Sequence, residues 1–238
     1  MNIALIGGTI ESLLVAEHYS HQHTVYVIEI DAEIGLPAVH PGRIMDLDTV
    51  RAYFSKSQLD FLALHANPNG WGCRWDWVLK HLAANVAREG VQFLTRTRIL
   101  SSTFQDKKIH LQLSSSERAK PMELVVDRII NFSKLSTIGE GGKKHFTQPH
   151  APEEFQALTG VSWFGGTVLS KDVIDSSTAD LQIQRGDGMT ELWWMNKPEW
   201  KPPHGFIEQC SAVLSPDVSE LSFDSVVARV REFLQDSI

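Results

Sequence analysis

Ile3-Ala4-Leu5-Ile6-Gly7-Gly8-Thr9-Ile10-Glu11-Ser12 is a short apolar run that stops at two glycines and then turns into a helix-forming segment. Four consecutive apolar residues without alternation predict a strand buried on both faces, as in a parallel sheet. Leu13, Leu14, Val15 and Ala16 continue as a compact apolar helix, the polar stretch His18 to Thr24 follows, and Val25 to Ile28 form a second buried run. Strand, helix and parallel strand within about thirty residues make one βαβ unit.

Such a unit binds a dinucleotide when a glycine turn lets the backbone approach the pyrophosphate and the helix N-terminus faces its charge. An acidic residue about twenty positions later then accepts hydrogen bonds from the ribose hydroxyls. Gly7, Gly8, Thr9, Ile10, Glu11 and Ser12 occupy the turn, and Glu29 ends the second run. Six positions after Glu29 comes Gly35.

On these residues the chain resembles the FAD-dependent oxidoreductases, the family of amine oxidases, aromatic hydroxylases and geranylgeranyl reductases. The resemblance implies an α/β fold: a Rossmann-like FAD- or NAD(P)-binding three-layer domain with a parallel sheet and an antiparallel meander. A smaller antiparallel α+β domain of the substrate type is expected beside it. FAD is the implied cofactor, with NAD(P) as the lesser alternative. The Gly7 and Gly8 backbone would meet the pyrophosphate, Glu29 the ribose, and Arg74 the phosphate or flavin region. Thr9, Glu11, Ser12, Gly35 and Arg43 complete the cofactor-binding set.

The motif departs from the family at three points. Thr9 and Ser12 stand where the second and third glycines belong, and a Cβ there lifts the backbone or helix from a ligand. Glu11 suits a helix N-terminus but would repel a pyrophosphate if it faced one. The late Gly-Asp segment, a strand leading into a helix, has no counterpart. Gly186-Asp187 is the only Gly-Asp pair, and Met-Thr-Glu-Leu-Trp-Trp after it reads as a hairpin strand. Two functions therefore stand side by side: an FAD-dependent oxidoreductase acting on a planar or apolar small molecule, and a cofactor-free subunit of the same fold serving binding or assembly.

With 238 residues, 42% of them hydrophobic, the chain can bury one large core or two smaller ones. The net charge of −7 gives no electrostatic footprint for nucleic acid. Cys73 and Cys210 are the two cysteines and form no C-x-x-C, so neither a disulfide framework nor a zinc site is expected, and a cytoplasmic setting is. No basic leader precedes the Ile3 run, and no stretch has the roughly 18 apolar residues of a membrane span. The expected partners are a small-molecule substrate and, where the site needs completion, another protein or a second copy.

Further along, a helix is expected across Asp48 to Leu64, then a turn at Asn67-Pro68-Asn69-Gly70. Trp75, Val78, Leu79, Leu82, Ala83 and Val86 recur at helical spacing before Gly90. Val91 to Leu94, Arg98 to Phe104, Ile109 to Leu113 and Leu124 to Phe132 read as strands. The reading gives a first domain over 1–135, a glycine- and proline-bearing linker over 136–152, and a Trp-rich sheet with a closing helix over 153–238. In that last part Ser162 to Leu169, Leu181 to Arg185, Met189 to Met195 and Phe206 to Leu214 are the strands, and Phe223 to Leu234 the helix, with Ser222 as its N-cap.

Other candidate chemistry has a plainer reading. His18, His21 and His23 could ligate a metal, but they fall at the edge opposite the usual ligand crevice, and no metal site is expected. Seven tryptophans could wall a flat ligand, although most tryptophans pack cores. Gly139 to Lys144 lacks P-loop spacing. Arg74 could lower the Cys73 thiol pKa, and His204 could act as a loop-borne acid or base.

Overall fold

The computed structural model describes residues 1–34, 39–68, 70–116, 122–133, 152–156, 160–173, 178–196, 198 and 200–236. Gly35, the Asn69 position of the expected turn and nearly all of the expected linker, Gly139 to Lys144 included, lie outside these residues. The βαβ start forms as β1 (Asn2–Ile6), α1 (Ile10–Ser20) and β2 (Thr24–Ile28), with β1 and β2 parallel. Next come β3 (Arg43–Ile44), α2 (Leu47–Arg51), α3 (Lys56–Phe61), β4 (His65–Asn67), β5 (Gly70–Gly72) and α4 (Trp75–Arg88).

The single helix expected over 48–64 is two. Asp46 caps α2, and Ser55 begins α3 with a capping box to Gln58, so the chain restarts its helix instead of continuing it. Positive φ at Ala63 then ends the helical stretch and sends the chain into β4.

After α4, β6 (Gln92–Leu94) pairs parallel with β2. A meander follows: β7 (Thr97–Gln105), β8 (Lys108–Ser115) and β9 (Met122–Val126), all antiparallel. The expected strand Leu124 to Phe132 is split at Asp127, where β10 (Arg128–Asn131) leaves the meander and joins β1. Asp127 pins this corner: its carboxylate accepts from the Asn2 N–H at 2.7 Å and its own N–H donates to the Asn2 carbonyl at 2.8 Å.

Glu153–Glu154 adds a short β11 beside β10, giving the parallel order β11-β10-β1-β2-β6. Strand geometry then sorts the apolar residues between two layers, because successive side chains point to opposite faces. Ile3, Leu5, Val25, Val27 and Ile130 face a helical layer with Leu13, Leu79, Leu82 and Val227. Ala4, Ile6, Ile28 and Ile129 face the meander, with Ile99, Leu111, Leu113 and Val126. This is the expected three-layer arrangement of helices, parallel sheet and meander.

The second sheet is antiparallel. Its strands are β12 (Val161–Leu169), β13 (Leu181–Gln184), β14 (Met189–Trp194) and β15 (Glu208–Leu214), in the order β13-β14-β12-β15. Gly186-Asp187-Gly188 is the hairpin between β13 and β14, closed by the Arg185 N–H on the Met189 carbonyl. The chain then returns to the first layer as α5 (Phe223–Asp236), which packs on α1. Residues 153–238 thus contribute to both sheets' surroundings. Among the described residues no helix is long and apolar enough to cross a membrane.

Candidate functional site

The β1–α1 turn is built around Gly7, whose φ of +97° L side chains rarely adopt. A Cβ there would also press on the Phe132 and Ser133 backbone at 3.3 Å, so the turn and the end of β10 need a residue without one. Thr9 then caps α1: its hydroxyl accepts from the Ser12 N–H at 3.3 Å, while the Ser12 hydroxyl donates to the Thr9 carbonyl at 2.9 Å. The two positions that lack the family's glycines therefore carry a side-chain cap, which occupies one of the helix's free N–H groups.

Glu29 lies at the C-terminal end of β2, only 2% exposed. Its carboxylate accepts from three backbone N–H groups: Gly8 at 2.6 Å, Ile30 at 2.7 Å and Asp31 at 3.1 Å. A Cβ on Gly8 would stand 3.1 Å from both the Glu29 Oε2 and the Ile34 side chain, so the bare Gly8 backbone forms the floor between them. Glu11 does not face this turn. It is buried against α5, accepting from Arg229 Nη2 at 2.9 Å, which neutralises a carboxylate that would otherwise repel an anion at the helix start.

Arg74, at the N-cap of α4, is held by Asp76 through both Nε (3.1 Å) and Nη2 (3.0 Å), and its guanidinium lies 4.9 Å over the Trp77 ring. Arg43 is buried; its Nη1 donates to the Val218 carbonyl at 2.8 Å, and burial lowers its pKa against the pull of Asp224. The structure therefore brings Gly7, Gly8, Thr9, Ser12 and Glu29 together, sets Arg74 on the α4 start, and turns Arg43 and Glu11 toward α5 and the loop before it.

A second polar centre, between the β3–β5 strands and the second sheet, was not legible in the sequence. Glu191, on β14, accepts from the Gly42 N–H at 3.0 Å, Trp193 Nε1 at 3.2 Å and Arg185 Nη1 at 3.1 Å. Arg185 in turn grips Asp187 at 3.2 and 2.6 Å. Burial pushes the Glu191 carboxyl upward, opposed by the Gly42 N–H and the Arg185 charge. A Cβ at Gly42 would sit 1.9 Å from the Cys73 carbonyl oxygen, so the two backbones are in contact. A charged residue inside the alternating run Met-Thr-Glu-Leu-Trp-Trp was the available signal.

Cys73 is buried beside this centre and burial drives its thiol pKa up, which fits a packed thiol and not the alternative of activation by Arg74. Cys210 is pushed up to about 12 by burial as well. Trp75, Trp163, Trp193 and Trp194 are core residues. Trp194, Trp200, Phe164 and Phe206 form one aromatic cluster on the second sheet. His204 Nδ1 bonds the buried Asp172 carboxylate at 3.0 Å.

No family model and no curated relative matches the chain. Solved structures share its fold. The ternary complex of aklavinone-11 hydroxylase with FAD and aklavinone superposes with a TM-score of 0.60 at 12% identity, covering 99% of this chain and 62% of that one. p-Nitrophenol 4-monooxygenase PnpA from Pseudomonas putida DLL-E4 gives 0.60 at 9% identity, covering 98% and 78%. CabE, an aromatic hydroxylase from angucycline biosynthesis, gives 0.53 at 10% identity, covering 89% and 52%. The chain shares the fold of these proteins: a Rossmann-like α/β domain with a parallel sheet and meander, beside a smaller antiparallel β domain. The chain spans between about half and three quarters of these three proteins' lengths.

Proposed function

We propose that the chain binds FAD at the β1–α1–β2 unit and acts as a small flavoprotein oxidoreductase. The observation that carries this reading is the Glu29 carboxylate, fixed by three backbone N–H groups at the end of β2 and directed at the Gly8 backbone. An acceptor fixed by backbone donors is held in one orientation for ribose hydroxyls. Gly7 and Gly8 supply backbone for the pyrophosphate, and the Glu11–Arg229 pair removes a repelling charge from the helix start. Arg74, oriented by Asp76, is the cation placed for the phosphate or flavin side.

Bound there, FAD would supply the redox chemistry. The chain's own part is to hold the adenosine end and to present the half-buried rings of Trp200 and Phe206, backed by the core residue Trp194, to a planar or apolar substrate.

The second reading is a cofactor-free subunit of this fold. It is favoured by the Thr9 and Ser12 cap and by Ile34 seated against Gly8. The visible spectrum of the purified full chain, followed by FAD titration if it is colourless, separates the two. A flavin spectrum or saturable FAD binding supports the oxidoreductase reading. A colourless protein with no saturable binding supports the subunit reading.

A further inference from the structure

In a parallel βαβ sheet every crossover helix runs back against its strands, so helix C-termini collect at the edge opposite the ligand crevice. Here α1 and α4 pack together and end side by side at that edge. Their last carbonyls give the edge a partial negative charge. Onto it the chain adds two carboxylates from different helices, Glu17 on α1 and Glu89 at the C-cap of α4.

Two like charges this close are costly. His21, at the C-cap of α1, completes the group: its Nε2 is 3.9 Å from Glu17 Oε1, the i and i+4 spacing that places two ligands on one helix face. One ligand atom from each of Glu17, His21 and Glu89 lies within 4.8 Å of the others. Ser20 Oγ donates to Glu89 Oε2 at 2.9 Å, which orients that carboxylate. A cavity of about 260 Å³, lined by Glu17, Glu89, Arg88, Asn85 and Tyr53, opens beside the group and leaves room for a further ligand. The Arg88 cation in its wall is turned to Asn85 Oδ1 at 3.0 Å.

We infer that Glu17, His21 and Glu89 form a site for one divalent transition-metal ion of the Zn²⁺ type, which clips the C-terminal ends of α1 and α4 together. One imidazole and two carboxylates suit such an ion. Tetrahedral bonds of about 2.1 Å need ligand atoms roughly 3.4 Å apart. The side chains have room to close from the present spacing, since His21 is 61% exposed and Glu17 34%. Of the three histidines in His18-x-x-His21-x-His23, only His21 joins the group; His18 and His23 pack against the Tyr19 ring.

The test is calorimetric titration of the untagged full chain with Zn²⁺ in the presence of excess Mg²⁺, repeated on His21→Ala and Glu89→Gln. Co²⁺ replaces Zn²⁺ in a parallel absorption experiment. The expected result is one ion per chain, a tetrahedral Co²⁺ band, a rise in melting temperature with Zn²⁺, and affinity lower by about 100-fold or more in each variant. Both substituted side chains are on the surface, so the variants should keep the parent's melting temperature without metal. No saturation by millimolar Zn²⁺, displacement by Mg²⁺, or equal affinity in parent and variants would overturn the site. None of these outcomes depends on FAD.

Discussion

Glu29 and Glu191 are both buried carboxylates, 2% and 7% exposed, and they differ in what holds them. Glu29 accepts from three backbone N–H groups of its own βαβ unit. Glu191 is held by the Arg185 guanidinium, and reaches 149 residues back in sequence to the Gly42 N–H. The first arrangement orients a carboxylate at the end of a strand, the place proposed above for a ligand. The second satisfies the charge internally and ties two sheets together, which is a staple. Burial alone does not mark a functional carboxylate; the identity of the partners does.

Breaking the staple should have the largest effect. Glu191→Ala leaves the Gly42 N–H and Trp193 Nε1 without their acceptor and removes one of the two carboxylates around Arg185. A loss of roughly 3–5 kcal/mol is expected in urea unfolding. If the loss stays under about 1 kcal/mol, the two sheets do not depend on this pair.

Next comes acid sensitivity on the same side of the molecule. His40 stacks on Trp75 at 4.1 Å, and burial, reinforced by the Arg229 charge, lowers its pKa to about 4. The unfolded chain takes a proton there near pH 6.5 that the folded chain refuses until about 4. This contribution is therefore complete above pH 6.5, falls as pH drops through that window, and amounts to roughly 3 kcal/mol. His40→Gln should flatten the slope of stability against pH, measured by urea midpoints from pH 4 to 7.

Gly42→Ala tests the staple from its backbone side. The added Cβ meets the Cys73 carbonyl and forces one chain to shift, at a cost of roughly 1–3 kcal/mol. Glu29→Gln should cost less stability, roughly 1–2 kcal/mol, since one acceptor oxygen and much of the hydrogen bonding persist. Its larger effect belongs to ligand binding.

The βαβ end of the molecule was more legible in the sequence than the staple, for a physical reason. Buried parallel strands appear as unbroken apolar runs, so Ile3 to Ile6 and Val25 to Ile28 were legible, as was the amphipathic α4. The Gly186-Asp187-Gly188 hairpin was legible from its turn chemistry. Asp127 was hidden inside an apparently continuous strand, because its role as a corner depends on Asn2 at the far end of the unit. Ser55 divided one expected helix into two through a cap that competes locally with helix continuation. Arg43, grouped with the cofactor residues, is drawn instead to the Val218 carbonyl. The Gly42–Glu191 contact and the approach of Glu89 to the Glu17–His21 pair arise from tertiary packing, which no local spacing encodes.

The most direct test of the distinction between the two carboxylates is fluorescence-quench titration of FAD into the wild-type chain and Glu29→Gln. The account predicts saturable binding to the wild type and an affinity lower by about tenfold or more in Glu29→Gln, the worth of one charge-assisted hydrogen bond. Absence of saturable binding to the wild type, or equal affinity in the two proteins, would contradict it.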